Sequence, residues 1–286
     1  MSARLIPDPA DLVRGRIVGR VRSIFNDQAR GEQPVRRSGN ALFPPASVIW
    51  RVHGDVTTMM IGGISALLLQ MLHPAALTGV LDHSSFREDM MGRLRRTARF
   101  IAVTTYGERA AAETAIERVR AIHEDVRGHL ADGTAYAASD PRLLAWVHVA
   151  EATSFLDAWI AYGEPRMTRA DQDRYFAEAG VIARKLGADP VPETRRAAAA
   201  LVNEFRPDLH GSPECRNVAK LILSRRTAGP AASKAEGLLA RSAVDLLPGW
   251  ARAQLGLQSS GLGAGFVHAA AFGMAATLRW AFSATR

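Results

Sequence analysis

Residues Val56–Leu81 read VTTMMIGGISALLLQMLHPAALTGVL, without a single Lys, Arg, Asp or Glu. A run of this kind is either a buried helix or a membrane span. His73-Pro74 interrupts it, and Thr57, Thr58, Ser65 and Gln70 dilute it. These features favour a buried core helix from about Val56 to Leu72, bent or ended by Pro74, because proline removes a backbone donor and clashes with the preceding turn. Gly62-Gly63 inside that helix marks a close packing contact. A second charge-free run, Ala253–Leu278, is rich in Gly, Ala and Ser, and the same rule predicts a buried helix there.

Working outward, the apolar period is helical almost throughout, and no alternating strand with a hairpin turn stands out. Asp8-Pro9 opens a first helix with Ile17, Val21, Ile24 and Phe25 on one face. Residues 27–46 are polar and rich in Gly and Pro, which predicts a loop or arm. Asp82-His83-Ser84-Ser85 is a break, with Ser84 or Ser85 as a cap for the next helix. Helices are expected over Arg93–Tyr106 and Ala110–Arg127, the latter with Ile116, Val119, Ile122 and Val126 on one face. Asp140-Pro141 is an N-cap followed by a first-turn proline. Thr168-Arg169-Ala170-Asp171 resembles a capping box. More helices begin near Glu193 and Pro213, and an apolar one spans about Phe266 to Trp280. The expectation is an all-α fold: one domain of about ten helices, with residues 1–46 as N-terminal helix and arm and 47–286 as the main domain.

The bulk properties narrow the function. With 286 residues and 48% hydrophobic content the chain buries a real core. The net charge of +8 raises nucleic acid or an anionic membrane as partners. No zinc-finger spacing or RNA-binding aromatic motif is present, and the basic residues are scattered among acidic ones, so no nucleic-acid partner is expected. Only Lys185, Lys220 and Lys234 among the 36 basic residues are lysines. Arginine suits bidentate anion contacts, although a GC-rich genome produces the same bias. Cys215 is the sole cysteine, which excludes an intrachain disulfide and a thiolate cluster and suits a reducing compartment. No secretory pattern opens the chain. A cytoplasmic location is therefore expected, with peripheral membrane association left open. Apolar helices at both ends would suit a homodimer.

The chemistry-bearing residues are few. Arg93, Arg96 and Thr97, at i, i+3 and i+4, share one helix face. They form either a solvated basic face or a stripe that holds an anion; Phe100, Ile101 and Val103 on the same helix place part of it inside. His123 lies four residues after Val119 and three before Val126, on or beside a buried face. It is either a satisfied core histidine or a ligand. A neutral imidazole opposite a cationic stripe is an arrangement by which helices hold haem iron. His73 and His83 are further candidate cofactor contacts, or else donors to backbone carbonyls. Glu-x-x-His pairs for a di-iron bundle are missing, as are His-x-x-x-His zinc spacing, a nucleophile elbow, a P-loop and a dinucleotide fingerprint.

Several pieces occur in a telling order: Trp50-Arg51-Val52-His53-Gly54-Asp55; Gly63 to Pro74; His83-Ser84 with Phe86; Gly92-Arg93-Leu94-Arg95-Arg96-Thr97; His123-Glu124-Asp125-Val126-Arg127-Gly128; and Tyr136 with Asp140-Pro141 and Trp146-Val147-His148. From about Trp50 to Leu186 this order resembles the bacterial oxygenases of the mycophenolate-pathway type, which share a catalytic domain with the latex-clearing rubber oxygenases. The resemblance implies an all-α, globin-like fold, a haem b (iron) cofactor and cleavage of double bonds in isoprenoid chains with dioxygen. By that resemblance His123 is the proximal iron ligand, and Arg93 and Thr97 belong to the pocket helix. Arg96 stands where the rubber oxygenases carry a distal lysine. Their pocket glutamate has no counterpart among Asp82, Glu88 and Asp89. The leading expectation is a haem-dependent oxygenase acting on a hydrophobic, unsaturated small molecule, with Arg93, Arg96 and Thr97 as catalytic residues. The alternatives are a haem carrier or sensor without turnover, and a cofactor-free helical module on a membrane surface.

Overall fold

A computed structural model describes residues 9–25, 31–84, 86, 88–224 and 230–283. The helices are α1 (Pro9–Phe25), α2 (Val48–Val52), α3 (Val56–Gln70), α4 (Pro74–His83), α5 (Met90–Tyr106), α6 (Arg109–Asp125), α7 (Pro141–Tyr162), α8 (Arg169–Leu186), α9 (Arg195–Phe205), α10 (Pro213–Ser224), α11 (Pro230–Leu246), α12 (Gly249–Leu255) and α13 (Ala264–Ser283). The fold is all-α, with thirteen α-helices among the described residues against the ten expected; short α2 and α12 carry too few turns to show a period. One hairpin was not expected: β1 (Arg127–His129) pairs antiparallel with β2 (Ala135–Ala137). Strands of three residues are too short to display alternation.

Local chemistry sets the boundaries. Asp55, Asp89, Asp140, Thr168 and Thr194 each accept a hydrogen bond from a backbone N–H of the first turn they cap. Asp89 caps α5, in place of the expected Ser84; Ser85, like Asp8, lies outside the described residues. His73 caps α4 through its Nδ1, which accepts from Ala75 N at 3.2 Å. Pro74 at the first helical position turns the chain by 107° between α3 and α4.

The core is organised about α3 and α7, which pack together along most of their lengths. Trp146 is fully buried, and its indole donates to Gln70 O at 3.0 Å, tying the start of α7 to the end of α3. Ala41, Leu42 and Phe43, from the arm region, join the same core. Gly62 is the point of closest approach. A Cβ there would stand 2.8 Å from Phe155 Cδ1 and 2.9 Å from Phe155 Cα. At Gly63 the nearest contact would be an ordinary 3.7 Å.

The second charge-free run departs from expectation. It supplies most of α13, of which Val267, Ala271, Ala275 and Ala281 are buried while most of the helix is not. Gly261–Ser283 is long and apolar enough to cross a membrane, with 17% of its most apolar window buried. Arg279 fastens its C-terminal half to the body, donating to buried Asp55 at 2.8 Å and to Tyr162 O at 3.2 Å.

The two adjacent glycines give a paired test. Gly62→Ala should lower stability by about 1–3 kcal/mol, because the backbone of α7 has to retreat. Gly63→Ala should be neutral or raise stability by up to about 1 kcal/mol through helix propensity. Urea unfolding midpoints at constant slope measure both; equal effects would refute the close approach.

Candidate functional site

On three helices a line of buried residues is interrupted by half-buried ones. On α5 the inward stripe runs Met90, Arg93, Thr97, Ile101, Thr104. Met90 and Thr104 at its ends are buried and Arg93 and Ile101 are half-buried, yet Thr97 between them is exposed. Thr97 is thus the point at which this stripe meets solvent. On α6 the stripe passes from buried Ala112 and Ile116 to half-buried Val119 and His123. On α7, buried Leu144 and Phe155 bracket half-buried Val147, His148 and Glu151.

Sequence dictates how these stripes are held. Asp89 accepts from Gly92 N at 2.8 Å to start α5, and a Cβ on Gly92 would overlap the Asp89 carboxyl. The glycine therefore permits the cap immediately before Arg93. Past His123 the chain enters the hairpin, where Gly128 sits opposite Tyr136. A Cβ on Gly128 would stand 2.8 Å from the Tyr136 hydroxyl, and the same ring lies against Gly79 of α4. The hairpin so pins the end of α6 to α4. Lys185 and Glu113, 3.0 Å apart, link α6 to α8.

Electrostatics ties the stripes together. Arg93 lies deep; burial and then Arg96 push its pKa down, and Glu151 pushes it back up. Burial, then Arg93, lowers the His123 pKa and favours a neutral ring. His123 Nδ1 is buried with no hydrogen-bond partner. Glu151 is pushed up to about 7 by burial, opposed by Arg93. Its carboxyl lies deep in the protein yet the residue keeps accessible surface, so it faces a gap among the helices. Burial and then Glu151 raise the pKa of Tyr175, whose hydroxyl bonds His53 Nε2 at 3.0 Å. His53 Nδ1 bonds Thr105 Oγ1 at 2.9 Å, and burial lowers this imidazole to about 3. His148 is lowered to about 4 by burial and then by Arg184, and its buried Nε2 also has no partner.

The other sequence candidates fall elsewhere. Arg96 is exposed and pairs with exposed Asp89 at 3.7 Å, a contact worth under about 1 kcal/mol. Its stripe is the one facing away from Ile101. His73 is occupied as the α4 cap, with Asp208, Asp140, Arg142 and His210 as its charged neighbours. His83 is exposed at the end of α4, its ring 6.4 Å from that of Tyr136. Cys215 is buried, its Sγ 3.3 Å from Met71 O and its pKa pushed up to about 11 by burial, so it is a packing residue. Two surface hollows of about 420 and 510 Å3 open beside α10, lined by residues such as Glu214 and Arg216; neither is lined by Arg93, His123 or Glu151. We place the candidate site where buried polar groups lack partners rather than at those hollows, since unpartnered buried polar atoms demand an explanation.

Residues 50–280 match the family described as "ER-bound oxygenase mpaB/B'/Rubber oxygenase, catalytic domain". The chain belongs to this family. Its residues 50–280 thus form an oxygenase-type catalytic domain of the mpaB/rubber oxygenase kind. No curated protein and no solved structure matches the chain.

The donor set agrees with the haem that the mpaB/rubber oxygenase resemblance implies. No group of three or more His, Cys, Asp or Glu able to hold a metal ion exists among the described residues. The unpartnered Nδ1 of His123, on a ring whose pKa burial lowers, and the guanidinium of Arg93 are groups that could hold iron and a propionate.

Glu151 was missed from the sequence as a site residue. Its signal was available: between Arg142 and Asp157 it is the lone charged residue of a helix otherwise apolar or neutral. Because its folded pKa is raised above the ordinary 4.5, the protonated form is favoured by folding. That contribution is complete below pH 4.5 and is lost as pH rises through about 7. Glu151→Gln should therefore leave stability unchanged near pH 4.5 and raise it by on the order of 1–3 kcal/mol at pH 8. Denaturant titrations of both proteins at the two pH values decide; a constant difference would place the carboxylate in solvent.

Proposed function

We propose that the chain is a haem b-dependent oxygenase acting with dioxygen on a hydrophobic, unsaturated, isoprenoid-like small molecule. The observation that carries the reading is that half-buried His123, whose buried Nδ1 has no partner and whose pKa is lowered by burial and then by Arg93, faces half-buried Arg93 across the gap among α5, α6 and α7. His123 would supply a nitrogen ligand to the iron. Arg93 would hold a propionate, and the Thr97 hydroxyl, exposed on the same stripe, would donate beside it. Haem, when bound, supplies the one-electron and dioxygen chemistry that no side chain can.

The chain's own groups do the rest. Half-buried Val147, Leu94 and Ile101 present apolar surface that accepts an alkene and excludes water. Glu151, held near neutrality in its pKa, keeps or releases a proton at its carboxyl oxygens as its surroundings change. Arg93 supports the carboxylate form when the proton leaves.

A second reading, a haem carrier or sensor without turnover, draws on the outward position of Arg96, which stands where rubber oxygenases carry a lysine. Oxygen uptake with a long-chain alkene separates the two.

Expressed with a haem precursor, the wild type should show a Soret band, and His123→Ala at normal yield and unchanged helicity should lose it. Arg93→Ala should weaken haem retention by about ten- to a hundredfold, one charge-assisted contact being worth about 1.5–3 kcal/mol. A colourless wild type that takes up no added haemin would reject the haem reading; an unchanged spectrum in His123→Ala would move the ligand elsewhere, with His148 next in line.

A further inference from the structure

Large exposed apolar side chains are concentrated in one place. Leu262 is fully exposed and Phe266 is 79% exposed, followed along α13 by Phe272 and Trp280 at 39% and 41%. Leu12 and Val13, 53% and 49% exposed, lie on α1, which packs against α13. Elsewhere among the described residues only Ile122 and Leu221 join that group. The guanidinium of Arg14 lies 4.5 Å over the Trp280 ring, which joins the two helices at their outer edge. The outer arc of α13, running through Phe266, Ala269, Phe272, Gly273, Ala276 and Trp280, carries no charge.

We propose that the outer face of α13, together with the adjoining α1, is a docking surface for an anionic lipid membrane, with α13 lying in the plane of the interface. The length and hydropathy of Gly261–Ser283 alone would also allow a span. The Arg279–Asp55 ion pair at 2.8 Å and the packed line Val267, Ala271, Ala275 hold the helix along the body of the protein, so it presents one side rather than its whole circumference. Phenylalanine and tryptophan beside arginine is the side-chain chemistry of the membrane–water boundary. The sequence of α1 carries Arg14, Arg16, Arg20 and Arg22 with Asp11 as its one acid, so the helix flanking the apolar arc is cationic. That charge matches anionic headgroups. It opposes the other simple occupant, a second copy of the chain: a two-fold contact through this face sets Arg14 and Arg16 against their own copies. The inference is independent of the cofactor reading, because none of these residues takes part in it.

The test is co-sedimentation of the full chain with vesicles of phosphatidylcholine alone and of phosphatidylcholine mixed with an equal amount of phosphatidylglycerol, with light scattering of the free protein alongside. Binding to the anionic vesicles, weakened by salt, is expected. The double substitution Leu262→Glu, Phe266→Glu changes two side chains that fold nothing beneath them and should weaken binding about tenfold or more. Arg16→Glu should weaken binding to the anionic vesicles and leave residual binding to phosphatidylcholine unaltered. A monomer that fails to sediment with either vesicle overturns the proposal. So does a dimer that the double substitution dissociates, since the face is then covered by a second copy. Sedimentation that the double substitution leaves intact also overturns it.

Discussion

The contact of α3 with α7 at Gly62 is the constraint on which the other features depend. Phe155 occupies the space that a side chain at Gly62 would need, and its ring also meets His53 at 5.6 Å between centroids. Glu151 lies one turn earlier on α7, on the stripe that leads into the gap. The rotation of α7 about its axis, set by Phe155 against glycine, therefore decides whether a carboxyl or an apolar residue faces Arg93. A helix pair held further apart would free α7 to turn, and the site would lose its geometry before the protein lost its fold.

The electrostatics of the gap differ from ordinary structural pairing, and α7 itself shows the contrast. Asp157 on that helix meets Arg195 at 2.7 Å, and the guanidinium also bonds Gln172 at 2.8 Å. Glu151 and Arg93 influence each other's ionisation without reaching ion-pair distance. Deep charges kept apart cost free energy that a contact pair would partly recover. Two imidazole nitrogens without partners, on His123 and His148, add to that cost. Such a cost is expected where the missing partner is a ligand. The relay Thr105–His53–Tyr175 is the opposite case: both ring nitrogens of its histidine are bonded, and it closes the site from the α8 side with a fixed, neutral wall.

Much of the architecture was legible in the sequence because it rests on local chemistry. Asp140-Pro141 and Thr168 to Asp171 cap α7 and α8 as their side-chain geometry dictates, and Pro74 ends the long apolar helix within two residues of the expected place. The stripe carrying Arg93 and Thr97 was visible from spacing. Arg96 on the outer side was not distinguishable, because a spacing of three spans about 300° of rotation and straddles the edge of a face. Histidine next to proline looked like a cofactor contact at His73; its nitrogen instead serves the backbone of Ala75, a role that no pattern of residue types separates from ligation. Glu151 went unread because its significance lies in α5 and α8, far from it in the chain.

The two charge-free runs show where composition stops being informative. In α3, large side chains such as Ile61, Leu68 and Leu69 point inward and are buried. In α13 the order is reversed: inward positions Ala271, Ala275 and Ala281 are small, and outward positions Phe266, Phe272 and Trp280 are large. Small inward residues let α13 lie close against α3 and α11, so the helix needs little apolar volume to hold its place. The bulk of its hydrophobicity is then left over on the side facing away from the protein. Hydropathy sums the two sides and cannot tell the two helices apart, whereas the arrangement of volume around the axis separates a helix that completes a core from one that has apolar surface still to cover.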